Sequence, residues 1–275
     1  MTVIPTTTLP PKTAMCDYSF SRPVLGALRG TGIKAVIRYL SYSTNGKNLT
    51  ADEVAKLHAA GLGILVVWEN VKGDPLSGSV LGATHGQEAV KQATALGYPK
   101  GLPIFCAVDF DTLNTVQTSQ VVAYVGAFSY ACRSNGYQTG FYGGSRLWSK
   151  CKDYVDVKCR AAASSWSPAS IVWSPEIRQG NTTVIGGGSV DMDWTTTNVD
   201  VWLPQSTDLP VLQQGSRGNY VRWMQATLAK LGYKITADGV FGPQTRNFVI
   251  WFQTSHNLPP TGIVDQATWT ELGKI

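Results

Sequence analysis

The sequence predicts an α/β protein: an irregular (β/α) TIM-type barrel with a helix-poor closing segment, followed by a small C-terminal three-helix domain. Three observations carry this. Short apolar runs alternate with helical patterns over the first two thirds of the chain, the signature of parallel strands with crossover helices. Three further strand candidates then crowd between about residues 159 and 194, where the links are too short for full helices. The last stretch places apolar residues three and four apart between Gly-rich turns, as short amphipathic helices do.

Candidate strands lie near residues 13–18, 33–40, 62–69, 102–110 and 138–143. Helical stretches lie near 22–30, 50–60, 86–97 and 115–135, with Thr50 and Glu53 spaced as a capping box. The closing strands are expected at Ala161–Trp166, within Ile171–Gln179 and at Ser189–Trp194. A barrel domain of about 190 residues is smaller than a regular barrel of this kind, which agrees with a truncated helical shell. Residues 1–12, rich in Thr and Pro, read as an irregular arm, and residues 13–203 as the barrel. Residues 204–210, with proline at both ends, read as a semi-rigid linker, and 211–275 as the small domain.

In that domain Val221, Met224, Leu228 and Leu231 form one stripe, closed by Gly232. Phe248, Val249 and Phe252 form a second. Val221, Leu228, Leu231, Phe248, Phe252, Trp269 and Leu272 are expected in its core. Asp238-Gly239-Val240-Phe241-Gly242 with Thr245 is echoed by Thr261-Gly262-Ile263-Val264-Asp265 with Thr268, each a tight turn leading into a capped helix. Trp223 and Trp251 are either stacking faces for sugars or interior packing.

Composition excludes several functions. The chain has 275 residues and a formal net charge of +5 without basic runs, a poor match to nucleic-acid binding. No stretch approaches the roughly 18 apolar residues of a membrane span, so no membrane insertion is expected. The start lacks the basic and apolar regions of a secretory signal. Cys16, Cys106, Cys132, Cys151 and Cys159 form no close-spaced pair and are odd in number, which points to a reducing site of synthesis. His58, His85 and His256 lie far apart, so neither a metal site nor a cofactor is expected.

Carboxylates recur at candidate strand ends. Phe105, Ala107, Asp109 and Asp111 share one face of the fourth strand, Ile104, Cys106, Val108 and Phe110 the other. If the latter face packs on the helices, both aspartates point into the barrel mouth. Asp17 ends the first strand, Glu69 the third, and Asp191 and Asp193 alternate with Val190, Met192 and Trp194 in the last. Crowded carboxyls raise one another's pKa, so one stays protonated while another is ionised, the division that glycosidic cleavage needs.

The C-terminal run resembles the three-helix peptidoglycan-binding module fused to many cell-wall hydrolases, over roughly residues 210–275. Met15-Cys16-Asp17-Tyr18-Ser19, Ala107-Val108-Asp109-Phe110-Asp111 and Val190-Asp191-Met192-Asp193 resemble segments of the phage-type barrel lysozymes. With Gly97-Tyr98-Pro99 and Gly140-Phe141-Tyr142-Gly143, the resemblance is closer to the glycoside-hydrolase-like barrels of actinobacteria and their phages, over roughly residues 13–203. It implies hydrolysis of the β-1,4 bond between N-acetylmuramic acid and N-acetylglucosamine, with the sugar's acetamido group available to assist. The lysozymes carry Asp-x-Glu where this chain has Asp109-x-Asp111, so the proton donor is either Asp111 or Glu69. Asp109 is expected to give electrostatic support, and Asp17 and Asp191 to orient substrate and tune pKa values. Arg38, Tyr142, Trp166, Gln179 and Asp193 are candidate sugar contacts.

The resemblance also implies a phage endolysin: a monomer made in the host bacterial cytoplasm without a signal peptide, acting on peptidoglycan at the wall after release. The alternative is a non-catalytic wall-binding protein whose barrel kept the cleft and lost the acid.

Overall fold

The structure is a computed structural model that describes residues 6–110, 114–162, 164–203 and 209–272. These form two compact units, one of residues 6–49 and 63–202, the other of 50–62 and 203–272.

The first unit is a closed eight-strand barrel. Its staves are β2 (Ala14–Asp17), β3 (Ala35–Leu40), β4 (Gly63–Trp68), β5 (Pro103–Ala107), β6 (Gln138–Gly143), β7 (Val157–Arg160), β8 (Ile177–Ile185) and β9 (Gly188–Thr195). β2 through β8 run parallel, with β4 on β5 and β3 on β4 completing one arc. β9 runs antiparallel to both β8 and β2 and closes the ring. β4 is buried at every position, as a parallel strand covered on both faces must be, and so reads as an unbroken apolar run.

The helical shell fades along the chain. α1 (Leu25–Gly30), α3 (Gly78–Leu96), α4 (Thr115–Ser134) and α5 (Ser145–Cys151) follow β2, β4, β5 and β6. After β7 there is only a three-residue 3-10 turn, Ser164–Trp166, and β8 returns through a hairpin. The pair Ile185↔Gly188 leaves Gly186 and Gly187 as a two-residue turn with φ of 56° and 77°. That left-handed geometry suits the twist of a tight hairpin and makes β9 antiparallel.

Several expectations need correction. The strand expected at Ala161–Trp166 lies upstream at Val157–Arg160, because Ala161 already leaves the sheet toward the 3-10 turn. The arm of residues 1–12 is not wholly irregular: Thr6–Leu9 forms β1, antiparallel to β10 (Val199–Trp202). Helix α3 starts at Gly78, well before the expected residue 86.

α3 and α4 pack closely because α3 carries glycine where α4 crosses it. A methyl group at Gly82 would run into the Tyr124 main chain, and one at Gly86 would sit 2.8 Å from the Ala131 side chain.

In the second unit α2 (Ala51–Ala59) accompanies α6 (Asn219–Lys230), α7 (Pro243–Ser255) and α8 (Gln266–Leu272). Thr50 caps α2 by accepting the Glu53 N–H at 3.2 Å. Val221, Leu228, Phe248, Phe252, Trp269 and Leu272 are core, whereas Leu231, just past the end of α6, is 37% exposed and is not. The sequence echo is a structural repeat. Gln225 on α6 accepts from Gly239 N–H at 2.8 Å and donates to Val240 O and Thr245 Oγ1. Gln253 on α7 does the same with Gly262 N–H, Ile263 O and Thr268 Oγ1. Each buried amide thus ties a helix to the loop after it, and Gly239 and Gly262 share φ values near 70–77°. Residues 204–208 of the expected linker lie outside the described residues, and the carbonyl of Pro210 accepts from Trp269 Nε1 at 2.8 Å.

Gly82→Ala is expected to lower unfolding stability by about 2 kcal/mol through overpacking. Gly26→Ala, in an open stretch of α1, should raise it by about 0.5 kcal/mol. Urea denaturation of the two variants checks the contrast.

Candidate active site

The C-terminal ends of the parallel strands surround a cavity of about 230 Å³. Alternation along each strand decides what enters it. From β3, Ile37 and Tyr39 face in; from β4 and its end, Val67 and Glu69; from β5 and its end, Phe105, Ala107 and Asp109. Asp17 from β2, Tyr142 from β6, Cys159 from β7, Gln179 from β8 and Asp191 from β9 complete the wall. The structure therefore brings together Asp17, Glu69, Asp109, Asp191, Tyr142 and Gln179 of the residues expected from sequence. Asp111 lies outside the described residues.

Because β9 is antiparallel, its carboxylates do not end a strand at the rim. Asp191 pairs with Asp17 at the mouth, and Asp193 pairs with Met15 one layer deeper. Asp193 is fully buried, and neither carboxyl oxygen has a hydrogen-bond partner. Burial first, then Asp17 and Asp191, push its pKa far above the usual carboxylate range. It lies beneath the cavity, outside reach of a sugar.

Asp17 is 5% exposed and held at both oxygens. Tyr39 OH donates to Oδ1 at 2.9 Å and Gln179 Nε2 to Oδ2 at 2.8 Å. Gln179 Oε1 accepts from Tyr142 OH at 2.9 Å and from Ala162 N–H at 3.1 Å. Desolvation dominates at Asp17, with Asp191 and Glu69 adding to it and the two donors opposing, and its pKa is pushed up to about 7. Glu69 and Asp109 instead have cations. Lys47 Nζ lies 2.8 Å from Glu69 Oε2 and 2.9 Å from its main-chain carbonyl, and Lys72 Nζ lies 3.1 Å from Asp109 Oδ2. Asp191 accepts from Thr182 Oγ1. The mouth thus holds one carboxyl poised to carry a proton near neutrality and two paired with lysines.

Besides Asp193, two expected sugar contacts lie elsewhere. Arg38 is fully buried on the outward face of β3, donating to Tyr18 O and, at 3.1 Å, to Lys47 O, with its guanidinium 4.4 Å from the Tyr18 ring centroid. It braces the loop that presents Lys47. Trp166 is half-buried, packs on Gly144 and does not line the cavity. Trp223 is in the core of the second unit, stacked on Trp269 at 5.0 Å, and is no exposed platform, whereas Trp251 is 57% exposed. Sequence reasoning missed Tyr39, Lys47 and Lys72. The alternation that placed Asp109 also points Tyr39 inward; the two loop lysines follow no period.

The five cysteines are buried and unpaired. Among the described residues no group of three or more His, Cys, Asp or Glu is placed to hold a metal, and no helix is long and apolar enough to cross a membrane.

A closed α/β barrel with carboxyl groups gathered at its C-terminal mouth is a glycoside-hydrolase-like architecture. The chain belongs to the family of Rv2525c-like, glycoside hydrolase-like domains, whose model matches residues 26–216. A putative peptidoglycan binding domain matches residues 217–272. In fold the barrel is similar to the Tat-secreted protein Rv2525c of Mycobacterium tuberculosis, crystallised with L-tartrate. The TM-score is 0.58 at 23% identity, covering 66% of this chain and 95% of that one. It is also similar to the modular autolysin LytC of Streptococcus pneumoniae, with TM-score 0.50 at 16% identity over 66% of this chain and 46% of that one. An uncharacterised protein of Kitasatospora aureofaciens, encoded in the bpoA1 3' region, is 41% identical over 71 residues, 24% of this chain. The match spans 58% of that protein's length.

A carboxyl raised in the folded state favours folding at low pH and loses that contribution as pH rises from about 4 through about 7. Asp17→Asn should therefore raise Tm more at about pH 8 than at about pH 5. Scanning calorimetry at both values tests this, and an equal change at both would contradict it.

Proposed function

We propose that the chain is a peptidoglycan hydrolase, an endolysin-type muramidase that cleaves the β-1,4 bond between N-acetylmuramic acid and N-acetylglucosamine. The observation that carries the reading is the split state of one cavity: Asp17 titrates near neutrality, while Glu69 and Asp109 are each paired with a lysine. Glycoside cleavage needs a proton for the leaving oxygen and negative charge near the positive anomeric carbon. Asp17 supplies the proton; Asp109 and Asp191 line the same cavity and face the sugar. Glu69, committed to Lys47, is a poor donor, which moves the role away from it. The match to a peptidoglycan-binding domain brings the barrel to its polymer, and the barrel's likeness to an autolysin supports the same substrate.

In the C-terminal domain Trp251 is the wall-contacting residue. Trp223 and Trp251 both stand two residues before a loop-binding glutamine, so they occupy equivalent places in the repeat. Trp223 is covered by Trp269, while Trp251 keeps an open face beside Phe248. A sugar ring fills that place by stacking. The protein acts as a monomer made in the cytoplasm of a phage-infected host and reaches the wall after release.

Purified peptidoglycan incubated with the full chain should yield new reducing ends on N-acetylmuramic acid, read by reduction and mass analysis. Asp17→Asn should lower the rate by roughly 100-fold or more, and Asp111→Asn by less. Full activity in Asp17→Asn with loss in Asp111→Asn would reassign the donor. Wall binding without new ends identifies a binding scaffold. Trp251→Ala should weaken retention on walls by up to about tenfold, the worth of one ring contact, with unchanged Tm.

A further inference from the structure

We infer that Tyr39 relays the proton from Asp17 to the leaving oxygen of the glycan, an assignment that rests on the hydrolase reading above. Asp17 has two hydrogen-bond partners that differ in what they can accept. Gln179 presents an amide nitrogen to Oδ2, and that nitrogen only donates. Its amide is fixed in this sense because Oε1 accepts the main-chain N–H of Ala162, a group that cannot reverse its role, together with Tyr142 OH. A proton on Oδ2 would therefore face another donor. On Oδ1 it faces the Tyr39 phenol oxygen, 2.9 Å away, which accepts as readily as it donates.

When Asp17 is neutral its proton thus lies on Oδ1, and Tyr39 turns its own O–H away from the carboxyl toward the cavity it lines. Asp17 itself is 5% exposed, so the phenol is the nearer surface for a bound sugar. In the step, the Asp17 Oδ1–H bond breaks as Tyr39 Oη takes that proton, and the original Tyr39 O–H bond breaks as its proton passes to the glycosidic oxygen. The anomeric carbon–oxygen bond breaks with both electrons leaving on that oxygen. Water adds to the anomeric carbon, and the proton it sheds restores Asp17.

The surrounding charges keep Tyr39 from ionising during the transfer. Burial, Asp17 and Glu69 hold its pKa well above the usual phenol value. The Lys47 ammonium, 4.8 Å from the ring centroid, offsets partial negative charge as the protons move. Tyr142, Cys159, Asp109 and Asp191 in the cavity wall, with the buried Cys16, Arg38 and Asp193 behind it, are further titratable or charged groups around Asp17 and Tyr39.

Tyr39→Phe keeps the ring and its contact with Lys47 and removes only the hydroxyl. Release of reducing ends from peptidoglycan should fall at least about 100-fold. Cleavage of a nitrophenyl glycoside of the N-acetylglucosaminyl-N-acetylmuramic acid disaccharide should fall less than about tenfold, because nitrophenolate leaves without a proton. Equal losses on both substrates, or a small loss on walls, overturn the relay and leave the hydrolase standing. Should Tyr39→Phe not fold, the wild-type rate against deuterium fraction in the solvent decides. A curved dependence fits two protons in flight, and a straight line overturns the relay. A wild-type chain inactive on both substrates removes relay and hydrolase together.

Discussion

The barrel mouth is organised by one buried carboxyl whose hydrogen-bond partners among the described residues are neutral. Asp17 ends β2 and is held by Tyr39 from β3 and Gln179 from β8, and Gln179 is held in turn by Tyr142 from β6. Four strands are thus tied by three side-chain hydrogen bonds across the opening. Every donor in the chain is neutral, so it fixes the carboxyl's position without removing the penalty of burying its charge. Position and protonation state are set by different groups. That separation lets a rigid scaffold carry a mobile proton.

The charged groups follow a consistent division. Lys47 and Lys72 come from loops after β3 and β4 and meet the carboxylates farther from Asp17 in the ring. Arg38 spends its guanidinium on main-chain carbonyls, including that of Lys47, and so stiffens the loop that delivers the ammonium to Glu69. Asp193 is the costly member: a buried carboxyl without a partner destabilises the fold unless it is neutral. Its position beneath Asp17 and Asp191 places that cost at the site.

Much of the barrel was legible because burial on two faces leaves a plain record. β3, β4 and β5 read as apolar runs, alternation points Asp109 to the inward face, and Glu69 reads as the end of its strand. The errors have physical origins. Arg38 and Tyr39 are neighbours in β3, and one residue in a strand exchanges the two faces, so Tyr39 lines the cavity where Arg38 does not. The last strand's carboxylates look like rim residues in sequence, but the Gly186-Gly187 turn reverses β9 and carries Asp193 below the rim. β7 was displaced because Val157–Arg160 alternates with charged Lys158 and Arg160 and looks unlike its apolar neighbours. Lys47 and Lys72 sit on loops, where no periodicity points. In the small domain the repeat was visible in the turns, but which tryptophan it leaves open depends on where α8 lies, a fact of three dimensions.

The central claim is that Asp17 holds its proton near neutral pH. The most direct measurement is a pH titration of the Asp17 carboxyl resonance in chain labelled with carboxyl carbon-13 aspartate, assigned with Asp17→Asn. The account predicts a midpoint of about 7. A midpoint near 4, the value of an ordinary aspartate, would contradict it and take the donor role away from Asp17.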